Sequence, residues 1–168
     1  MKAGKGFTLV ELVIVIVIIG ILALAMLLSG SMATASAEAS NVVSELRNMK
    51  AAAIMFSMSS FDEVQSGAID LTSNASANVT YIRKFMDNPD KLSISSRYLF
   101  KAGTVDGIMK WFVGYDLTDI PGSVKEKLSG RAKTTSLYGG SGPDNLPATL
   151  TAPALYKAGD DLVWMPAR

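Results

Sequence analysis

An uninterrupted apolar segment near the N-terminus constrains the fold of this chain more than any other feature of its sequence. Between Phe7 and Leu28 the polar side chains are those of Thr8 and Glu11. A helix of about 22 residues spans roughly 30 Å, which is the thickness of the hydrocarbon core of a bilayer. The segment is therefore predicted to cross a membrane as a helix.

The charges on either side of this segment predict its orientation. Lys2 and Lys5 precede it, and positive residues tend to stay on the cytoplasmic side, so the body from Ser29 onward should lie outside. Without these two lysines and Glu11, 14 of the 16 Lys/Arg and 14 of the 15 Asp/Glu remain. Because phosphate backbones need a clustered basic excess, no nucleic acid partner is expected.

The composition also excludes several kinds of catalytic site. The chain has no cysteine and no histidine, so thiolate nucleophiles, disulfides, histidine acid–base chemistry and most zinc sites are ruled out. No spacing of serine, lysine or carboxylate residues suggests another catalytic arrangement. We therefore predict neither an enzyme nor a bound cofactor.

Glu11 is the feature that an ordinary membrane anchor does not explain. A carboxylate near the centre of a membrane helix costs on the order of 2.5 to 3.5 kcal/mol, and less near its end. Two alternatives are an uncleaved signal anchor and a secretory signal cleaved within the small-residue stretch "SGSMATASAEA". Neither explains why Glu11 is present. A partner for the charge is implied.

The stretch Gly6-Phe7-Thr8-Leu9-Val10-Glu11 and the aliphatic run behind it resemble the class III prepilin signal, which type IV pilins share with the pseudopilins of type II secretion. The resemblance implies that a membrane prepilin peptidase cuts between Gly6 and Phe7 and methylates the new amine of Phe7. It divides the chain into a leader peptide at 1–6, a transmembrane and filament-core helix at 7–28, and a head at 29–168.

The same resemblance implies how the chain assembles. The subunits would form a homo-oligomeric helical filament, in which Glu11 of one copy pairs with the Phe7 amine of its neighbour and sets their axial stagger. An inner-membrane platform protein and a cytoplasmic assembly ATPase would be indirect partners. The subunit would lie in the inner membrane, N-terminus inside, before joining an extracellular pilus or a periplasmic pseudopilus.

Hydrophobic periodicity predicts an α+β fold, with a long N-terminal α-helix packed on a small antiparallel β-sheet head. A core-facing stripe extends the membrane helix, which we expect from about Thr8 to Ser60. In the remainder of the head, stretches rich in turn-forming residues predict loops, and stretches rich in β-branched residues predict strands. The stripe comprises Val42, Leu46, Met49, Ala53 and Phe56. The other predictions are a loop at 62–80, a short helix within 81–90, a hairpin of strands at 93–103 and 107–117, a helix at 120–132, a loop at 138–153 and a closing strand at 160–166.

Two questions stay open from the sequence. Asp144, Asn145, Asp160 and Asp161 offer oxygen ligands for calcium, which major pseudopilins bind in a C-terminal loop, but an ordinary solvated turn is the favoured interpretation. The chain lacks the C-terminal cysteine pair of many type IV pilins and has no clear match to the C-terminal sequence of major pseudopilins. A type IV pilin is favoured, a pseudopilin is the alternative, and an uncleaved membrane-anchored binding module is the remote one.

Overall fold

A single helix, α1 (Leu9–Ser59), forms the spine of the molecule. The computed structural model describes residues 6–86, 88–90, 97–140 and 146–167. Thr8 is the N-cap of α1 and Ser60 is its C-cap, so the helix predicted from about Thr8 to Ser60 is confirmed. At 1.5 Å per residue a helix of 51 residues is about 77 Å long, which is far more than the head alone needs.

Two short helices, rather than a loop, follow α1. They are α2 (Phe61–Gln65) and α3 (Ala75–Arg83), so the loop predicted at 62–80 is correct for residues 66–74 and wrong on either side of them. Asn74 begins α3 in the left-handed conformation, at φ 42°, and its side chain accepts a hydrogen bond from the amide of Ala77 at 3.1 Å. The sequence did not predict α3 because two of its buried residues, Ala75 and Asn78, are small or polar and do not form a hydrophobic pattern. The short helix predicted within 81–90 overlaps α3 only at residues 81–83, where α3 ends.

The sheet begins with the predicted hairpin. Strands β1 (Tyr98–Val105) and β2 (Ile108–Asp116) pair antiparallel, with Tyr98 opposite Tyr115 and Val105 opposite Ile108. Asp106 and Gly107 connect them, both at positive φ, which is the two-residue turn that matches the twist of paired strands. The hairpin is confirmed, although residues 93–96 of its predicted first strand lie outside the described residues.

The C-terminal half of the head adds a helix and two strands. Helix α4 (Gly122–Thr135) runs past its predicted end at 132 because Gly130 does not stop it, and Ser136, at φ 54°, ends it instead. Strand β3 (Tyr138–Gly140) lies within the predicted loop at 138–153, and a 3₁₀ turn follows at Ala152–Ala154. Strand β4 (Leu162–Pro166) confirms the closing strand and inserts between β2 and β3, giving the order β1-β2-β4-β3.

The two faces of the sheet bury different side chains. Trp111 and Val113 point toward α1 and join its predicted stripe, of which every member is buried. Phe56 lies at the centre of this core, with the rings of Tyr81, Phe85, Phe100 and Trp111 between 5.8 and 6.4 Å away. Phe112 and Trp164 point to the opposite face and form a smaller second core. The predicted α+β architecture, a long apolar helix on a small antiparallel sheet, is confirmed.

Candidate processing and assembly site

The predicted cleavage point lies just before α1 begins. Gly6, Phe7 and Thr8 have no helical structure, and Thr8 has extended backbone angles of φ −80° and ψ 152°. Gly6 has open space around its Cα, and the side chain of Phe7 is 85% exposed. An extended and exposed peptide bond is a conformation that a peptidase can bind without first unwinding a helix. Lys2 and Lys5, on which the predicted orientation rests, lie outside the described residues.

Thr8 and Glu11 form a capping box at the start of α1. The amide and the hydroxyl of Thr8 both donate to Oε2 of Glu11, at 2.8 and 2.7 Å. In return the amide of Glu11 donates to Oγ1 of Thr8 at 3.2 Å. The box satisfies backbone donors that the first turn of a helix leaves unpaired, and it places a negative charge at the positive end of the helix dipole.

The capping role of Thr8 was not predicted from the sequence. The spacing of a threonine and a glutamate three positions apart, directly before an apolar run, is the sequence signature of a capping box and was available from the start. Glu11 was instead interpreted through the positive end of the helix dipole and through pairing with the Phe7 amine of another copy. That pairing involves two chains and stays a prediction.

The apolar half of α1 is entirely unburied within the chain. Every described side chain from Leu9 to Leu27 is exposed, and the most apolar window of the helix has a mean hydropathy of 3.2. From Ala35 onward the same helix buries a stripe against the head. Water is a poor solvent for an aliphatic surface of this length, so the N-terminal half needs lipid or other helices around it.

The calcium candidates are only partly placed. Asp144 and Asn145 lie outside the described residues. Asp160 Oδ2 accepts from the amide of Lys157 at 2.9 Å, and Asp161 Oδ1 forms an ion pair with Nζ of Lys125 at 3.0 Å. Both described carboxylates thus have partners within the head, and whether the four residues bind calcium stays untested.

Comparison with known protein families identifies the same N-terminal segment. Residues 1–27 match the family model described as the prokaryotic N-terminal methylation motif. This motif is the class III prepilin signal, the signature that type IV pilins share with pseudopilins. The resemblance noted at residues 6 to 11 is therefore confirmed. No curated protein and no solved structure matches the chain.

The chain therefore carries the N-terminal signature of a class of structural proteins, not of enzymes. The motif supports a type IV pilin-like or pseudopilin precursor, which is processed by a prepilin peptidase and is anchored in a membrane before assembly. The fold agrees with this, since a long apolar helix on a small antiparallel sheet is the architecture of a pilin.

Proposed function

We propose that this chain is a structural subunit of a type IV pilus-like filament and that it polymerises through α1. A prepilin peptidase cuts between Gly6 and Phe7, removes the leader at 1–6 and methylates the Phe7 amine. The mature helix at 7–28 is held in the inner membrane with its N-terminus in the cytoplasm, and the head at 29–168 lies outside. Assembly moves the helix from lipid into the filament core.

The observation that supports this proposal best is the continuity of α1. One unbroken helix joins an exposed apolar half, from Leu9 to Leu27, to a half that is buried in the head from Ala35 onward. A flexible linker would separate an ordinary anchor from its domain, but here one continuous helix belongs to both the anchor and the head. A fixed geometry between anchor and head is what a helical polymer requires, because every subunit must repeat the same contacts.

The energetics of assembly assign a role to Glu11. Exchange of lipid for neighbouring helices gains little hydrophobic free energy, so association of the helices rests on packing and polar pairing. In the filament core the carboxylate of Glu11 needs a positive partner, and the methylated amine of Phe7 on the adjacent copy supplies one. Only one axial stagger brings these two groups together, so the pair sets the register. Work supplied through a platform protein and an assembly ATPase extracts the helix.

A pseudopilin of a type II secretion system is the second candidate, because the same N-terminal motif serves both kinds of filament. The absence of cysteine from the chain leaves the head without the C-terminal disulfide of many type IV pilins, and this favours the alternative. Electron microscopy of material sheared from the cell surface, together with a deletion strain scored for protein secretion and surface motility, separates the two. Surface filaments and lost motility support the pilin, whereas lost secretion with no surface filaments supports the pseudopilin.

The processing step has a direct test. Mass spectrometry of the chain from assembled material should give a mature protein that starts at a methylated Phe7. Recovery of a working chain with the first six residues still attached contradicts the proposal. A monomer in detergent that never assembles points instead to a membrane-anchored binding module.

A further inference from the structure

The head exposes an apolar surface at the end farthest from the membrane segment. A cavity of about 520 Å³ lies between α2 and the tip of the β1–β2 hairpin. Phe61, Ile108 and Met109 line it and are all exposed, and Val64 and Trp111 complete its apolar wall. Exposed apolar side chains in one contiguous patch usually mark an interaction site. This surface is named the α2 cavity, and its inner wall, formed by Val64 and Trp111, belongs to the packing of the main core.

One acidic side chain lies beside the face of α2 that lines the cavity: Asp62 is next to the face shared by Phe61, Val64 and Gln65, whereas Glu63 is on the opposite side of the helix. Asp62 and Glu63 follow Phe61 directly, both are exposed, and neither has an ion pair within the described residues. A partner of this surface should therefore present an apolar side chain next to a positive charge.

The opposite end of the head presents that combination. Met32 is 55% exposed. The other residues from 29 to 36 are serine, glycine, alanine and threonine, so Met32 is the one large apolar side chain in that stretch. Met32, Ser36 and Ser40 are spaced four residues apart and share one face of α1. Arg131 from α4 lies over this face and donates to the hydroxyls of Ser40 and Ser36 at 2.7 and 2.9 Å. Within the part of the chain that the structure describes, this guanidinium has no carboxylate partner.

We propose that the α2 cavity receives Met32 of a second copy of this chain, with Arg131 of that copy facing Asp62. The two surfaces lie at opposite ends of one head, so the contact is heterologous and propagates from copy to copy instead of closing a dimer. Met32 and Phe61 are 29 positions apart in the sequence. The two copies are therefore displaced by about 43 Å along the helix axis, at 1.5 Å per residue. This contact stacks heads and is separate from the pairing at Glu11.

Cross-linking in the filament tests this proposal, which rests on the proposed function. Because the chain has no native cysteine, a variant with Met32→Cys and Ile108→Cys holds one engineered pair. A disulfide forms only where two Cα atoms come within about 7 Å, so oxidation of filaments should give a ladder of dimers and higher multimers. Thr34→Cys with Ile108→Cys is the matched control, because the exposed Thr34 lies on another face of α1 and should leave the chain monomeric.

A charge exchange gives a second measurement if the cysteines lower filament yield. Asp62→Arg and Arg131→Glu should each reduce assembly, and the two together should restore it, since the reversed charges attract again. A fold defect caused by loss of the Arg131 bonds to α1 is not repaired by a change at position 62. Filaments that form normally but give neither the ladder nor the restoration overturn the contact, as does a cross-link to an unrelated protein. Failure of the unsubstituted chain to form filaments contradicts the proposed function itself.

Discussion

The side chain of Glu11 folds back onto Thr8, and one carboxylate oxygen accepts from both the amide and the hydroxyl of that residue. The Thr8 amide that this carboxylate binds belongs to the residue directly after Phe7 in the sequence. In a single subunit the acid is stabilised by its own helix start. In the proposed filament the same position would make it available to the amine of a neighbour.

The charge of Glu11, more than its hydrogen bonds, should control assembly. Glu11→Gln keeps a side chain that can complete a capping box but removes the charge, whereas Glu11→Ala removes both. We expect both variants to insert into the membrane and both to lose most filament yield. Quantitative immunoblotting of sheared filaments and of the membrane fraction measures how much of the protein has assembled. Normal yield from Glu11→Gln shows that capping is sufficient and contradicts the proposed pairing.

Loss of the Thr8 hydroxyl should weaken the start of α1 without removing the charge. Replacement of an N-cap threonine by alanine costs about 0.5 to 2 kcal/mol, since the first-turn amide of Glu11 loses its acceptor. We expect Thr8→Ala to show more rapid hydrogen exchange in the first turn and a smaller assembly defect than Glu11→Ala. Thr8→Ser keeps the oxygen and should behave like the unsubstituted chain. Equal defects in the Ser and Ala variants count against the capping role.

Much of the fold could be predicted because it depends on local periodicity. The stripe from Val42 to Phe56 has helical spacing, and Trp111 alternates with Phe112 at the spacing of a strand, so the sequence places each on the correct face. Strand β3 could not be found in the same way. Tyr138, Gly139 and Gly140 form a strand only because β4 provides hydrogen-bond partners that are distant in the sequence.

The N-terminal methylation motif was predictable for a different reason. Gly6, Phe7 and Glu11 lie in one short motif, so their identity and spacing are sufficient to recognise it. The α2 cavity joins residues 61 to 65 to residues 108 to 111, and only the folded chain brings them together. No local pattern at Phe61 or Ile108 predicts that contact.

Replacement of two glycines by alanine should change the free energy of unfolding in opposite directions. A Cβ atom on Gly114 in β2 would lie 2.6 Å from the ring of Trp164, a fully buried residue that has no room to move. We expect Gly114→Ala to lower the free energy of unfolding by about 1 to 3 kcal/mol through overpacking. Gly130 in α4 has open space around its Cα, so Gly130→Ala should raise this free energy by up to about 1 kcal/mol. Chemical denaturation of the full chain in detergent measures both, and a stable Gly114→Ala head would show that β2 and β4 pack more loosely than described.

The aromatic centre of the main core should be the most sensitive site of the head. Phe56 is buried among four rings, so truncation removes its contacts to both α3 and the sheet. Phe56→Ala should lower the free energy of unfolding by about 3 to 5 kcal/mol, which is a large part of the stability of a small domain. Met58→Ala, at a side chain 81% exposed, is the matched control on the same helix and should change stability by less than about 0.5 kcal/mol. Similar melting temperatures for the two variants would contradict the assignment of Phe56 to the core.

Stability of the head should fall in alkaline solution because buried tyrosines resist ionisation. Burial, followed by the hydrogen bond to Glu45 and the charge of that residue, raises the pKa of Tyr98 above its ordinary value. Burial likewise raises the pKa of Tyr156, with further contributions from the charges of Asp160 and Asp161.

The sign of the pH effect follows from which state loses its proton first. Below about pH 10 the hydroxyls of Tyr98 and Tyr156 keep their protons in both states, and their contribution to stability is complete. Above that pH the unfolded chain ionises first and is favoured, so the free energy of unfolding decreases as the pH rises. Denaturation between about pH 9 and pH 12 should show the decrease, and Tyr98→Phe should make it shallower. Tyr81→Phe, at a side chain 38% exposed, is the control, and an equal change of slope in both variants would show that Tyr98 is not the source.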